Sequence, residues 1–156
     1  MADQADIDAV RELLGRVPRA EFDVVVRDDA GGPVVIRNAP LLDDGTPMPT
    51  RYWLVGAADR VKIGRLESSG VIDLAEAEIG DEALDVAHAA YESERSAALP
   101  SGHDGPVPTG GVGGTRRGIK CFHAHWAWYL AGGPDPVGPW IEERLAAESP
   151  PDASTD

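Results

Sequence analysis

Cysteine is nearly absent from this chain of 156 residues, since Cys121 is the only one. A single thiol cannot form a disulfide within the chain, so the fold must depend on a hydrophobic core. A chain of this length can build such a core without cross-links. Because a lone thiol beside histidines suits a reducing compartment, we predict a cytoplasmic protein.

Long apolar runs and an N-terminal targeting pattern are also missing. The opening residues, MADQADIDAV, are acidic and lack the basic and apolar regions of a signal peptide. The most apolar stretch, CFHAHWAWYLAGG, is too short and too polar to cross a bilayer. We therefore expect no membrane-spanning segment.

Positive charge is scarce, with 14 lysines and arginines against 27 aspartates and glutamates, which gives a net charge of −13. This balance argues against nucleic acid and against anionic membranes as partners, because both are bound through lysine and arginine. The segment between Thr109 and His125 is the exception, since it carries three cations and no carboxylate. The sequence does not identify a protein partner.

The hydrophobic periodicity predicts an α+β fold, with a small antiparallel sheet from the N-terminal third packed against several helices. Residues 1–148 are expected to form a single domain and residues 149–156 a disordered tail. The predicted strands are Phe22–Val26, Pro33–Ile36 and Arg51–Val55. The predicted helices are Ala5–Leu14, Ala57–Leu66, a longer helix within Asp73–Leu99 that is clearest from Asp81, a buried helix within Ile119–Leu130, and Val137–Glu148.

Glycines and cations come together in the segment GGVGGTRRGIK, directly before a predicted helix. Glycine-rich backbone at a helix N-terminus exposes N–H groups that can bind a phosphate or carboxylate, and nearby cations strengthen such a site. The spacing matches neither established phosphate-binding glycine motif, so a flexible loop with solvated cations is the alternative. The predicted ligand-binding residues here are Gly111, Gly113, Gly114, Arg116, Arg117 and Lys120.

Cys121, His123 and His125 alternate along the next stretch, and three interpretations stay open. In a catalytic site Cys121 would be a nucleophile, with its pKa lowered by the helix N-terminus and cations, and with His123 or the more distant His88 assisting. In a metal site Cys121, His123 and His125 would be zinc ligands, completed by another histidine or a carboxylate. In a structural cluster the thiol would be a small buried hydrophobe and the histidines hydrogen-bonded core residues. Neither an enzymatic activity nor a cofactor follows from the residues alone.

A second pattern lies on the predicted helix after Asp81, where His88, Tyr91 and Arg95 recur at intervals of three and four residues. They share one face of a helix, which either borders the core or turns His88 toward the cysteine.

These motifs resemble an uncharacterised bacterial family, domain of unknown function 501, which is common in actinobacteria. The resemblance spans Leu13 to Gly138 and rests on LLGRVPR, GTPMPTRYWLVG, KIGRLESSG, AHAAYESER and GGVGGTRRGIKCFHAH. It implies a cytoplasmic protein with no established activity. It also implies a link to cell division, because genes of the family often neighbour that of a division-septum initiator protein.

The resemblance centres on two patterns, Arg-x-x-Lys-Cys-x-His and Ala-His-x-x-Tyr-x-x-x-Arg. It implies that the helix bearing His88 lies near Cys121, and that Tyr91 and Arg95 belong to the ligand-binding set. Some family members carry further cysteines where this chain has Asp28 and Gly56, so the resemblance does not imply a cysteine-rich metal cluster here.

We therefore predict a domain that binds or acts on a small anionic molecule bearing phosphate or carboxylate. The alternative is a zinc-stabilised or purely structural interaction module linked to cell division.

Overall fold

The computed structural model describes residues 1–148, which form three strands, six α-helices and one 3₁₀ turn. In chain order these are α1 (Gln4–Leu14), β1 (Phe22–Arg27), β2 (Pro33–Asn38), β3 (Tyr52–Leu54), α2 (Ala57–Ser68), α3 (Ile72–Ile79), α4 (Asp81–Ala97), the 3₁₀ turn Val112–Gly114, α5 (Phe122–Leu130) and α6 (Val137–Glu148). The α+β prediction is confirmed. The predicted tail, 149–156, lies outside the described residues.

The three strands form one antiparallel sheet in the order β1-β2-β3, so β2 is the central strand. Pairing joins Val24 to Ile36 across β1 and β2, and Ile36 to Trp53 across β2 and β3. The predicted hairpin is confirmed, and Asp28 closes its turn by accepting hydrogen bonds from the backbone N–H groups of Ala30 and Gly32.

Both faces of the sheet are covered, which explains why β2 is buried along nearly its whole length. On one face Phe22, Ile36 and Val55 pack with Val10 of α1 in a small core. Because successive side chains in a strand point to opposite faces, Val35 and Leu54 enter the main core with α4, α5 and α6. The result is three layers, with α1 on one side of the sheet and the remaining helices on the other.

Local sequence signals account for the helix ends. The Asp3 carboxylate caps α1 by accepting a hydrogen bond from the Asp6 N–H at 2.9 Å, and α1 ends at Gly15, whose φ is 76°. A left-handed residue at a helix C-terminus is most readily glycine. Gly80, with φ of 89°, separates α3 from α4, so the predicted longer helix begins at Asp81 and α3 is a separate helix before it.

One stripe of α4 is buried, namely Leu84, Ala87, His88, Tyr91 and Arg95. This stripe places the candidate polar residues inside the molecule, behind the loop that carries the cations. No helix among residues 1–148 has the length and apolar character needed to cross a membrane.

Candidate functional site

The candidate site is built on the loop Gly110–Lys120, which leaves the vicinity of α4 and leads into α5. Its path depends on close approach to α4: a methyl group added at Gly111 would lie 2.4 Å from both Cβ and Nδ1 of His88. Only glycine fits there. Gly113 and Gly114 have φ of 70° and 80°, a conformation that disfavours other residues.

His88 of α4 holds this loop in place through hydrogen bonds between both of its ring nitrogens and the loop backbone. Nδ1 accepts a hydrogen bond from the Val112 N–H at 3.0 Å, and Nε2 lies 2.8 Å from the Gly118 carbonyl oxygen, to which it donates. The residue is 4% exposed, and a ring that accepts at Nδ1 and donates at Nε2 is neutral. Both nitrogens are therefore occupied, and neither is left to act as a base toward Cys121.

Arg95 makes a second attachment from the same helix. Its guanidinium is fully buried, and it donates from Nη1 to the Pro49 carbonyl at 2.8 Å and from Nη2 to the Gly110 carbonyl at 2.7 Å. Burial lowers the pKa of Arg95 below its ordinary value. The cation thus joins two loops inside the molecule instead of facing a ligand.

Tyr91 ties α4 to the sheet. Its hydroxyl oxygen accepts hydrogen bonds from the backbone N–H groups of Arg51 at 2.6 Å and Tyr52 at 3.0 Å. Burial raises the pKa of Tyr91 to about 12. The buried side chains of His88, Tyr91 and Arg95 therefore position the loop and β3 through hydrogen bonds to their backbones.

The cations of the loop face outward. Arg116, Arg117 and Lys120 are exposed, and within residues 1–148 none of them forms an ion pair. A methyl group at Gly113 would lie 3.5 Å from Cβ of Lys120, so the Lys120 side chain starts beside this glycine. The cations therefore extend into solvent from the loop Gly110–Lys120, whose backbone is held by His88 and Arg95.

Backbone N–H groups at the start of α5 and just before it are hydrogen-bonded to carboxylates of the protein itself. Glu67 of α2 accepts a hydrogen bond from the Phe122 N–H at 2.6 Å, and Glu76 of α3 accepts one from the Ile119 N–H at 2.9 Å. The segment itself contains no carboxylate, but these two N–H groups are therefore not available to an outside anion. Glu67 and Glu76 lie far from the loop in sequence, and the packing of α2 and α3 brings them in.

Cys121 precedes the first turn of α5 and is half-buried. Burial is the main cause that raises the pKa of its thiol above the ordinary value, and the Glu67 carboxylate acts in the same direction. The backbone N–H groups of Ala124 and His123 and the charge of Lys120 oppose the change but do not outweigh it. The lowered thiol pKa that the catalytic interpretation requires is therefore not found, mainly because Cys121 is buried and to a smaller extent because Glu67 lies beside it.

The two histidines of α5 have separate acidic partners. His123 Nδ1 lies 2.8 Å from Glu67 Oε1, and His125 Nδ1 lies 2.7 Å from Asp135 Oδ2. The His125–Asp135 pair is buried, and Asp135 also accepts a hydrogen bond from the Val137 N–H at the start of α6. The pair therefore joins α5 to α6.

The zinc interpretation needs Cys121, His123 and His125 to converge. In the part of the chain that the structure describes, no three histidine, cysteine or carboxylate side chains are grouped so that they could hold a metal ion. His123 turns to α2 and His125 to the α5–α6 connection, so these residues do not fit a zinc site.

Sequence reasoning missed the three carboxylates that surround the cysteine–histidine stretch, Glu67, Glu76 and Asp135. Only Asp135 carries a local signal, since an aspartate just before a helix can accept a hydrogen bond from an N–H of the first helical turn, as Asp135 does from Val137. The two glutamates lie within helices and carry no such mark.

Comparison with known protein families gives a match over most of the chain. The family model described as "Protein of unknown function (DUF501)" matches residues 24–143, which include all of the sheet except the first two residues of β1, together with the loop and α5. No curated protein and no solved structure matches the chain.

Proposed function

The chain belongs to the DUF501 family of proteins of unknown function, and from the geometry of its loop we propose that it binds a small anionic molecule through Arg116, Arg117 and Lys120. The binding surface is the outward face of the segment Gly113–Lys120.

The proposal rests on how the loop is held. Buried polar side chains of α4 hydrogen-bond its backbone, while its cations are exposed and form no ion pairs within the described residues. His88 and Arg95 hold the backbone at Val112, Gly118 and Gly110. Holding a loop in place before a ligand arrives reduces the entropy that binding must overcome. In a chain of net charge −13, three unpaired cations on one fastened segment favour an anion as the ligand.

The proposal assigns the affinity to side chains and not to the helix N-terminus. Glu67 and Glu76 already accept the N–H groups of Phe122 and Ile119. An incoming phosphate would be repelled there. It would instead be held by the planar guanidinium groups, which bind phosphate and carboxylate oxygens in pairs.

We propose binding without a chemical step at Cys121. Its pKa is raised by burial, so the thiol is protonated at neutral pH and is a weak nucleophile. His88, the expected assisting base, is engaged at both nitrogens. The remaining acid–base group beside the loop is His123, which is hydrogen-bonded to Glu67.

Isothermal titration calorimetry with inorganic phosphate, pyrophosphate and citrate tests the proposal. The wild type is compared with the triple variant Arg116→Ala, Arg117→Ala, Lys120→Ala. The control is Arg65→Ala, which removes an exposed cation of α2 that lies about 200° around the helix from Glu67 and faces away from the loop.

We expect the dissociation constant of at least one of the three anions to rise about tenfold or more in the triple variant, which is about 1.4 kcal/mol. Arg65→Ala should leave it unchanged. If no anion binds the wild type, or if Arg65→Ala weakens binding as much as the triple variant does, the proposal is wrong.

A further inference from the structure

An open groove on the helical side of the molecule has no role in the anion site. It is open and has a volume of about 730 Å³, and its apolar lining comes from α3, α4, α5, α6 and the connection before α6. We call it the α4–α6 groove, and its apolar residues include Ile79, Val86, Tyr129, Pro134, Pro136 and Pro139. Val86 is 65% exposed. An exposed apolar groove of this kind is typical of a surface that another molecule covers.

The charge around the groove has one sign. No lysine or arginine occurs between Leu66 and Glu94, or between Cys121 and Glu143, and the groove is lined only by residues of these two stretches. Six exposed carboxylates of α3, α4 and α6 form no ion pairs within residues 1–148; they are Glu78, Asp81, Glu82, Asp85, Glu142 and Glu143. A groove with an apolar lining and carboxylates around it is complementary to a partner surface that has apolar side chains flanked by lysines or arginines.

The groove does not suit an extended strand. It is lined by neither β1 nor β3, which are the edge strands of the sheet. Its three prolines have no N–H to offer to a peptide backbone. Recognition must therefore come from side chains, as when an amphipathic helix places its apolar face in a groove.

We propose that the α4–α6 groove docks a basic amphipathic helix of a partner protein. The apolar side chains of that helix contact Val86, Ile79 and the prolines, and its lysines or arginines face Glu82 and the other border carboxylates. This surface is independent of the proposed anion site, because it shares no residue with the loop Gly110–Lys120.

The test uses full-length protein and a fluorescent peptide of about 18 residues, long enough to be helical, with leucines at positions i, i+3, i+4 and i+7 and lysines elsewhere. A matched peptide carries glutamate in place of every lysine. Fluorescence anisotropy gives the dissociation constant for wild type, for Val86→Asp and for Glu82→Lys. The control variants are Val61→Asp, which changes an exposed valine of α2 outside the groove, and Glu12→Lys on α1.

We expect the basic peptide to bind the wild type and the acidic peptide not to bind. Val86→Asp and Glu82→Lys should each raise the dissociation constant by about tenfold, as expected at a site that buries an apolar anchor beside a charge. Val61→Asp and Glu12→Lys should change it less than twofold, on the order of the effect of a remote charge.

Three results would overturn the inference. The acidic peptide could bind as well as the basic one. Each groove variant could have the same effect as its control, which would mean that the basic peptide is attracted only by net charge. The basic peptide could also fail to bind a wild-type protein that circular dichroism shows to be folded.

Discussion

Replacing His88 tests whether it holds the loop Gly110–Lys120, as the structure indicates. In His88→Ala the Val112 N–H loses its acceptor and the Gly118 carbonyl loses its donor, in a place where the histidine is 4% exposed. Each buried group left without a partner costs about 1–3 kcal/mol. We therefore expect the free energy of unfolding to fall by about 2–6 kcal/mol, of which the upper part applies if water does not enter the space.

Two further variants separate the contributions of the two bonds. The side-chain amide oxygen of His88→Asn can take the place of Nδ1 and accept from Val112, and the amide nitrogen of His88→Gln can take the place of Nε2 and donate to Gly118. Each should lose about half as much stability as His88→Ala, or about 1–3 kcal/mol.

Urea denaturation monitored by tryptophan fluorescence gives the free energies, and amide hydrogen exchange reports on the loop. In His88→Ala the Val112 amide should exchange much faster, since it loses its acceptor. A loss below about 1 kcal/mol in His88→Ala, or an equal loss in all three variants, would show that the two hydrogen bonds do not hold the loop.

Three further predictions address the cysteine, the loop glycines and the absence of a zinc site. The rate of Cys121 alkylation by iodoacetamide should rise with pH around a midpoint above the ordinary value of 9.0, because burial raises the thiol pKa; a midpoint below neutral pH would contradict this. Gly111→Ala should destabilise the protein by about 3 kcal/mol or more through its clash with the imidazole. Gly114→Ala, where φ is 80° but no atom lies within 4 Å, should cost only about 1–2 kcal/mol, and thermal melts in urea would compare the two. A chelator should leave the melting temperature unchanged, and native mass spectrometry should show the mass of the chain without zinc; about one bound zinc that stabilises the fold would refute the placement of the histidines.

The arrangement of helices and strands could be predicted because its causes are local. The β-branched runs on either side of DDAGG, the cap at Asp3 and the stop at Gly15 each act within a few residues. The longer helix predicted within Asp73–Leu99, clearest from Asp81, is α4, and the sequence did not predict the separate helix α3 that ends at Gly80. A glycine within a helical pattern is tolerated or ends the helix, and the sequence alone does not decide between the two outcomes.

The candidate site was harder to predict because its partners are distant in sequence. The stripe His88, Tyr91 and Arg95 was correctly placed on one helix face, and the structure shows that this face is buried. The absence of carboxylates between Thr109 and His125 suggested an open anion site. Glu67 and Glu76 reach that segment through tertiary packing, and nothing in the residues around them distinguishes a capping glutamate from a solvent-exposed one.

These two glutamates also determine what kind of anion the loop could hold. They occupy the N–H groups of Phe122 and Ile119. The proposed affinity therefore depends on exposed cations, whose attraction is screened over about 8 Å at physiological salt. A single exposed ion pair contributes about 0–1 kcal/mol. A singly charged anion would therefore gain too little from Arg116, Arg117 and Lys120 to overcome the repulsion of a chain with net charge −13. An anion with two or more charges can contact several of these cations at once, so pyrophosphate and citrate should bind more tightly than a monovalent carboxylate such as acetate, and the difference should shrink as salt is added.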